Sequence, residues 1–378
     1  MKPLNDSERA TLYANLASGA ESGWDYSSRW IATPRDAADD VYFPLRSLNT
    51  REIVGVDVNS ILYANEMTIA GYLNASGDGA RAAEFEARAR NRSAAMYDLM
   101  WSEEYHGYFD YNLTSGSQNL WVPLPSDYDE ADNNTDPTAI TEGAPRGYQL
   151  AFHAAQFYPF WLGAAPAHLR DNPLAVRNAY VRVATLLDHR VGAVAATNYA
   201  TGQQWDRPNV WSPLVYAVAQ GLLATPATFG ADDPAHKALH ALALRLAQRY
   251  LDSTFCTWRA TGGSTSELPR IEDGDANKDA HGIMFEKYAD DATNVAGGGG
   301  EYEVVEGFGW TNGVLIWAVD TFGNDLVRPD CGNLTETAGS KRKRSVAESR
   351  VREPSAVELS SADAKFVKKF GRRKGNRS

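Results

Sequence analysis

Three stretches of the sequence set a carboxylate among tryptophans and glycines: ESGWDYSSRW at 21–30, QQWDRPNVWSP at 203–213 and GGGGEYEVVEGFGWTNGV at 297–314. In the first, Asp25 stands between Trp24 and Tyr26, aromatic neighbours that would desolvate its carboxyl group, raise its pKa and leave a proton on it near neutrality. In the third, Glu301 follows directly on Gly297 to Gly300, a run whose backbone can take positive φ, come close to a sugar and project the next side chain into a cleft. Hydrolysis of a glycosidic bond requires such a pair. One carboxylic acid protonates the leaving oxygen while a second carboxylate activates water from the opposite face. Asp25 and Glu301 lie 276 positions apart, so only the fold can bring them together, and inversion asks for a carboxyl separation of roughly 6.5 to 9.5 Å. Glu303 and Glu306 are further candidates for the base in the same stretch. Taken singly, an Asp among aromatics also serves as an acceptor for a loop or a helix cap, and a glycine run as a linker.

The second stretch brackets Trp205 and Trp211 with Pro208 and Pro213 and leads into the apolar run LVYAVAQGLL, so it marks the start of a helix. Either Trp205 or Asp206 meets a sugar ring, by stacking or by hydrogen bonds to hydroxyls, or the stretch is a structural turn in a cleft wall. Trp310, beside Phe308 and among Gly307, Gly309 and Gly313, has the same two readings of pocket lining and core. Asp275, Asn277, Asp279 and Glu286 have the spacing of a calcium loop, but Ala280 stands where that loop needs glycine, and no metal is expected there. His236 and His240 sit four apart on one helix face with no third ligand nearby in sequence, which suits a surface pair better than a metal site.

All three stretches resemble segments of the trehalase family, glycoside hydrolase family 37, and QWDRPNVWSP matches a ten-residue signature of that family without a departure. The resemblance covers about residues 8 to 321. It implies that Asp25 is the general acid and Glu301 the general base of an inverting hydrolysis of trehalose to one α- and one β-glucose, with no cofactor. It also implies a sugar contact at Gly23 and favours Glu301 over Glu303 and Glu306, while FEKY around Glu286 recurs in the family without calcium. The fold implied is all-α, an (α/α)6 toroid with long active-site loops. Family members continue upstream of the point matching Met1, with a Gly-Gly-Arg-Phe segment, a following Trp-Asp and several arginines that grip sugar hydroxyls. The sequence holds no counterpart of these, so the expected toroid is incomplete at its N-terminal helices.

The periodicity of apolar residues predicts helices over 56–75, 80–101, 147–162, 173–189, 210–223, 234–251 and 307–321, about eight in all when the Ala-rich run is divided. The alternation of 105–113 predicts a small hairpin. Long links rich in Gly, Asp, Asn and Pro, at 123–146 and 262–294, frame the motifs and suggest an active-site face built of loops on a helical frame. The last ordered element is expected to end near Cys331. Residues 1–335 are then the catalytic toroid domain and 336–378 a disordered basic tail, in which KRKR resembles both a nuclear signal and a processing site.

The net charge of −11 hides an asymmetry, since 341–378 hold thirteen Lys or Arg against four acids and leave the body strongly acidic. An acidic body repels a phosphate backbone, which disfavours nucleic acid and suits a neutral disaccharide such as trehalose. Thirteen Phe, eighteen Tyr and ten Trp offer flat faces to sugar rings as readily as to a core. The two cysteines, Cys256 and Cys331, leave room for one bridge and no recognisable zinc site. Seven Asn-X-Ser/Thr sequons, at Asn5, Asn74, Asn91, Asn112, Asn133, Asn333 and Asn376, point to the secretory pathway and a secreted, cell-surface or vacuolar glycoprotein, although no signal peptide is visible in the sequence. No membrane span is expected, because the uncharged run 148–169 contains two Gln, two His and two Pro. Two rival readings are a toroidal α-glucosidase of other specificity, separable by comparing trehalose, maltose and isomaltose, and an inactive sugar-binding fragment, which would bind without releasing glucose.

Overall fold

The computed structural model describes residues 4–32, 44–125, 136–270 and 281–332, all within the first of two compact units, Met1–Thr335 and Glu336–Ser378. Ten α-helices occur among the described residues: α1 (Asp6–Ser22), α2 (Val56–Ala75), α3 (Gly79–Met100), α4 (Tyr158–Trp161), α5 (Ala167–Arg170), α6 (Pro173–Ala179), α7 (Val181–His189), α8 (Ser212–Leu223), α9 (Pro234–Ala260) and α10 (Gly309–Phe322). Nine short strands lie between them: β1 (Ile53–Val54), β2 (Trp101–Ser102), β3 (Gly107–Tyr108), β4 (Tyr111–Asn112), β5 (Ser117–Gln118), β6 (Trp121–Pro123), β7 (Tyr148–Leu150), β8 (Asn209–Trp211) and β9 (Lys287–Ala289). All ladders are antiparallel, and the one that matters for the site pairs Trp211 with Lys287 and Asn209 with Ala289.

The centre of the core is α8, buried on most of its surface through Leu214, Val215, Ala217, Val218, Ala219 and Leu222. A helix apolar all round must be enclosed by other elements, and α4, α9 and α10 pack against it. The 27-residue α9 starts at an Asp233 cap with Pro234 at its first position and turns Leu239, Ala243, Leu246 and Tyr250 inward. Its Cys256 is bridged to Cys331, so the predicted single bridge is present. Helices α2 and α3 form an antiparallel hairpin locked by the Arg92 fork on Glu66, at 2.8 and 3.0 Å.

The sequence reading and the structure differ at several places. Residues 147–162 do not form one helix: β7 and a 3-10 turn at Ala154–Phe157 precede the short α4, whose second residue is Pro159, which lacks the N–H a continuing helix needs. The 173–189 run is two helices, α6 and α7, meeting at Tyr180. Helix α1 was not foreseen, because it buries little more than Asn15 and Gly19 and so shows no apolar period; a capping box between Asn5 and Glu8 starts it. The expected hairpin over 105–113 does not form: its two strands pair outside that stretch, β3 with β2 and β4 with both β1 and β5.

One face of α2 is left to solvent with an apolar stripe of Val58, Ile61, Leu62, Ile69 and Tyr72. Helix α10 likewise exposes Ile316 and Val319. No helix among the described residues is long and apolar enough to cross a membrane.

Candidate active site

Asp206 joins the first two motif stretches. It is fully buried, and its carboxylate accepts hydrogen bonds from the Ser27 hydroxyl (3.0 Å), the Ser28 hydroxyl (2.7 Å), the Ser28 amide (2.7 Å) and the Thr197 and Thr201 hydroxyls. Burial raises its pKa against the pull of these donors. The turn after Asp25 is thus bolted to the 197–206 loop. Two further bonds complete the joint: the Trp205 amide donates to the Tyr26 carbonyl at 3.0 Å, and the Gln204 side-chain amide donates to the Asp25 carbonyl. Helix α1 ends at Gly23, whose φ of 75° is the left-handed cap that turns the chain toward Trp24 and Asp25.

Tryptophans from all three stretches form one row. Trp24 stacks on Trp205 at 5.3 Å, Trp205 on Trp211 at 4.0 Å with the rings parallel, and Trp310 meets Trp211 edge-on at 5.6 Å. The row fixes the indole edge of Trp205 so that its N–H donates to the Asp25 carboxylate.

The glycine stretch closes on this frame. Asn209 of β8 donates to the Gly298 carbonyl at 2.7 Å and accepts from the Gly298 amide at 2.9 Å, while the Gly297 amide reaches the Lys287 carbonyl. The Gly300 amide donates to the Gly202 carbonyl at 2.8 Å, which binds the third stretch to the second. Gly299 and Gly300 have φ of 81° and 84°, and a Cβ on Gly299 would stand 2.5 Å from the Gly202 carbonyl oxygen. Glycine is therefore required where the loop bends over 202. The same loop delivers Glu301 to the neighbourhood of Asp25.

Burial raises the Asp25 pKa, opposed by its own backbone N–H, by the Trp205 indole and by the charge of Lys287. Burial also raises the Glu301 pKa, and the Asp25 charge pushes it further in the same direction while its own amide and Lys287 pull it back. Two like carboxyls in electrostatic reach of one another favour sharing a single proton. Lys287 has its pKa lowered by burial and supported by Glu286, Glu301 and Asp25. Beside it, Tyr302 donates at 3.0 Å to both oxygens of Glu286, whose residue is 5% exposed. The site therefore holds three carboxyl groups and one ammonium group, with aromatic walls.

A model of the trehalase family matches residues 1–323. The chain belongs to the trehalase family. Trehalase from Dictyostelium discoideum is 28% identical over 325 residues, covering 86% of this chain and 44% of that protein. Trehalase from Oryctolagus cuniculus is 31% identical over 320 residues, with coverages of 84% and 43%. The periplasmic trehalase of Salmonella paratyphi A is 31% identical over 346 residues, with coverages of 92% and 46%. The chain thus spans less than half the length of these curated trehalases. Its helical fold is similar to that of the neutral trehalase of Saccharomyces cerevisiae, with a TM-score of 0.53 at 18% identity over 85% of this chain and 44% of that one.

Within this member of the trehalase family, the residues singled out from the sequence separate into two groups. Asp25 and Glu301 lie within electrostatic reach of one another, with Gly23 at the start of the turn that carries Asp25. Trp205 and Asp206 are close by, but neither is free to meet glucose as expected. Both faces of Trp205 are covered by Trp24 and Trp211, and Asp206 is sealed inside with its oxygens occupied. Trp310 is half-buried at the start of α10, where its indole N–H donates to the Glu286 carbonyl at 2.9 Å and holds that backbone against α10. Glu303 and Glu306 are exposed. Asp275, Asn277 and Asp279 lie outside the described residues, whereas Glu286 of the same pattern is bonded by Tyr302 and faces the site. Among the described residues no group of three His, Cys, Asp or Glu is placed to hold a metal ion. Glu286 and Lys287 were overlooked as site residues. Their signal was the charged pair EK between Phe285 and Tyr288 in FEKY.

Proposed function

We propose that this chain carries the acid and base of an inverting trehalase, with Asp25 as the proton donor to the bridging oxygen of trehalose and Glu301 as the base that activates water. Trehalose, a neutral disaccharide, suits a site that offers hydrogen-bonding carboxyls among aromatic rings. The observation that supports this reading is that Asp25 and Glu301, from stretches 276 positions apart, lie within electrostatic reach of one another and of the same cation, Lys287. A second reading gives the water-activating role to Glu286. It is favoured by the bond from Tyr302 to both of its oxygens, because a base works best when its carboxylate is fixed, whereas Glu301 is exposed.

Kinetics of Glu301→Gln and Glu286→Gln separate the two readings. The variant lacking the base is expected to lose roughly 10²- to 10⁴-fold in kcat with little change in KM. The other glutamate, acting on sugar hydroxyls, should mainly raise KM. Azide should restore turnover to the variant lacking the base, giving β-glucosyl azide, because a small anion can attack where the activated water stood. Unchanged kcat in Glu301→Gln beside a collapse in Glu286→Gln would give the role to Glu286.

The glycine loop yields a further expectation. Gly298 has open space at its Cβ position, whereas Gly299 is bound by both its φ and the Gly202 carbonyl. Gly298→Ala should keep kcat/KM for trehalose within about twofold, and Gly299→Ala should lower it by up to about 100-fold through a displacement near 1 Å at Glu301. Equal effects at the two positions would count against the loop's role in placing that glutamate.

The catalytic unit on this reading is residues 1–335, and its helices belong to an (α/α)6 ring. The apolar stripes on α2 and α10 support that assignment, since such faces in a ring seat neighbouring helices. Export through a secretory pathway is supported by the Cys256–Cys331 bridge and by sequons whose Asn5, Asn74 and Asn91 are exposed, and glycans are the expected occupants of those asparagines.

A further inference from the structure

Lys287 has no part in the acid and base roles above, yet its side chain is among the most deeply buried in the protein. It is fully enclosed at the start of β9, opposite Trp211 in the ladder. A buried ammonium group is costly unless charges or polar groups compensate it. The Nζ lies 5.0 Å above the Trp211 ring and 5.1 Å from that of Tyr302, so two aromatic faces take up part of the charge. It also donates to the Gly299 carbonyl at 3.4 Å, on the loop that precedes Glu301. The charged and titratable groups that face it come from several walls of the site: Asp25 from the turn after α1, Glu286 from the position just before β9, and Glu301 and Tyr302 from the glycine loop.

We propose that Lys287 is the positioning cation of this centre, holding the Gly299 carbonyl and serving as the common counter-ion of Asp25, Glu286 and Glu301. This rests on the reading of those carboxyls as the hydrolytic site. A single fixed positive charge lowers the pKa of both Asp25 and Glu301 and so offsets part of the rise that burial imposes on each. Without the cation, Asp25 and Glu301 hold their protons to higher pH. The acidic limb of the rate profile, set by the base, and the basic limb, set by Asp25, then both move upward. A residue that only packs would lower the rate without moving either limb.

The test uses Lys287→Met, Lys287→Gln and Lys287→Arg in the full chain. The Gln variant retains a donor for the Gly299 carbonyl, so it carries the test if the Met variant fails to fold. Both neutral variants are expected to shift both limbs of kcat/KM for trehalose upward by about one pH unit, and the Arg variant to return them near the wild-type positions. Carboxyl titration by carbon-13 NMR of Asp- and Glu-labelled protein without substrate reads the same shift independently of turnover. If the wild-type chain cleaves no trehalose, the functional reading fails and the titration still decides the role of Lys287. Folded neutral variants whose limbs and carboxyl titrations coincide with wild type would overturn the proposal.

Discussion

Asp25→Asn is expected to lower kcat for trehalose by roughly 10²- to 10⁴-fold with little change in KM, the range spanned by removal of a positioned general acid. The amide keeps the shape of the carboxyl group and can still accept from the Trp205 indole, so the Trp row and the Asp206 joint should remain intact. What is lost is the proton for the bridging oxygen. α-Glucosyl fluoride, whose leaving group needs no proton, should therefore be cleaved by the variant at a rate within about tenfold of wild type. The pH dependence has a definite sign. The acid works protonated, so turnover falls as pH rises through the Asp25 pKa, and burial places that pKa above the ordinary aspartate range. The base works ionised, so turnover falls as pH drops through its own pKa. In Asp25→Asn the basic limb should vanish, while the acidic limb should stay near its wild-type position, since a protonated Asp25 carries no charge where the base titrates. A variant that loses both substrates alike would show that Asp25 supports the structure of the site and does not donate the proton.

The frame of this fold was legible where one face of a helix was buried and the other was not. Val56–Ala75 carries Val58, Ile61, Leu62 and Ile69 at helical spacing and is α2 to the residue, although the structure turns that stripe outward. Helix α1 was hidden because capping, not apolar period, defines it. The site was legible in its residue types but not in its contacts. Asp25 and Glu301 stood out because each sits among aromatics or glycines. That Asp206 would face inward could not be read, because its partners Ser27, Ser28, Thr197 and Thr201 are ordinary residues whose value comes from one shared oxygen pair. The Gly300–Gly202 bond is long-range in the same way. Glu286 was weighed only against a calcium-loop spacing that Ala280 argues against, whereas the pairing of β8 with β9 brings the position just before β9 beside the catalytic candidates. Local chemistry is written in types and spacing; a site assembled from distant segments depends on hydrogen bonds that have no period.

Arg29→Met should have the largest effect on stability, a loss of about 3–5 kcal/mol at pH 7 seen as a fall in the urea midpoint. Arg29 lies four residues after the proposed acid and is buried with Asp57 and Asp110, to which it makes four charge-assisted hydrogen bonds of 2.8 to 3.0 Å. Its guanidinium is also covered by Trp24 and Trp30, each centred 4.4 Å away. Burial alone would raise the Asp110 pKa, but the Arg29 charge overrides it and holds that carboxyl at about 2. His153, 3.6 Å from Asp110, is pushed down to about 4 by burial and stays neutral at pH 7, so it cannot replace the missing charge there. Removing Arg29 leaves two buried carboxylates without a cation. The defect should therefore depend on pH in a direction opposite to ordinary acid destabilisation. In the wild type, the Asp110 contribution is complete above pH ~4 and disappears as pH falls toward 2, and the cost of protonating His153 accrues between pH ~6.5 and 4. In the variant, the orphaned Asp110 carboxyl protonates at higher pH, and His153, freed from Arg29 repulsion, can become its cation. The gap in stability between the two proteins should then narrow from pH 7 to pH 5. Because the same turn carries Trp24 and Asp25, the variant should also lose turnover at temperatures where it remains folded. A urea midpoint unchanged at pH 7, or a gap that widens toward pH 5, would show that the fold does not depend on this ion cluster.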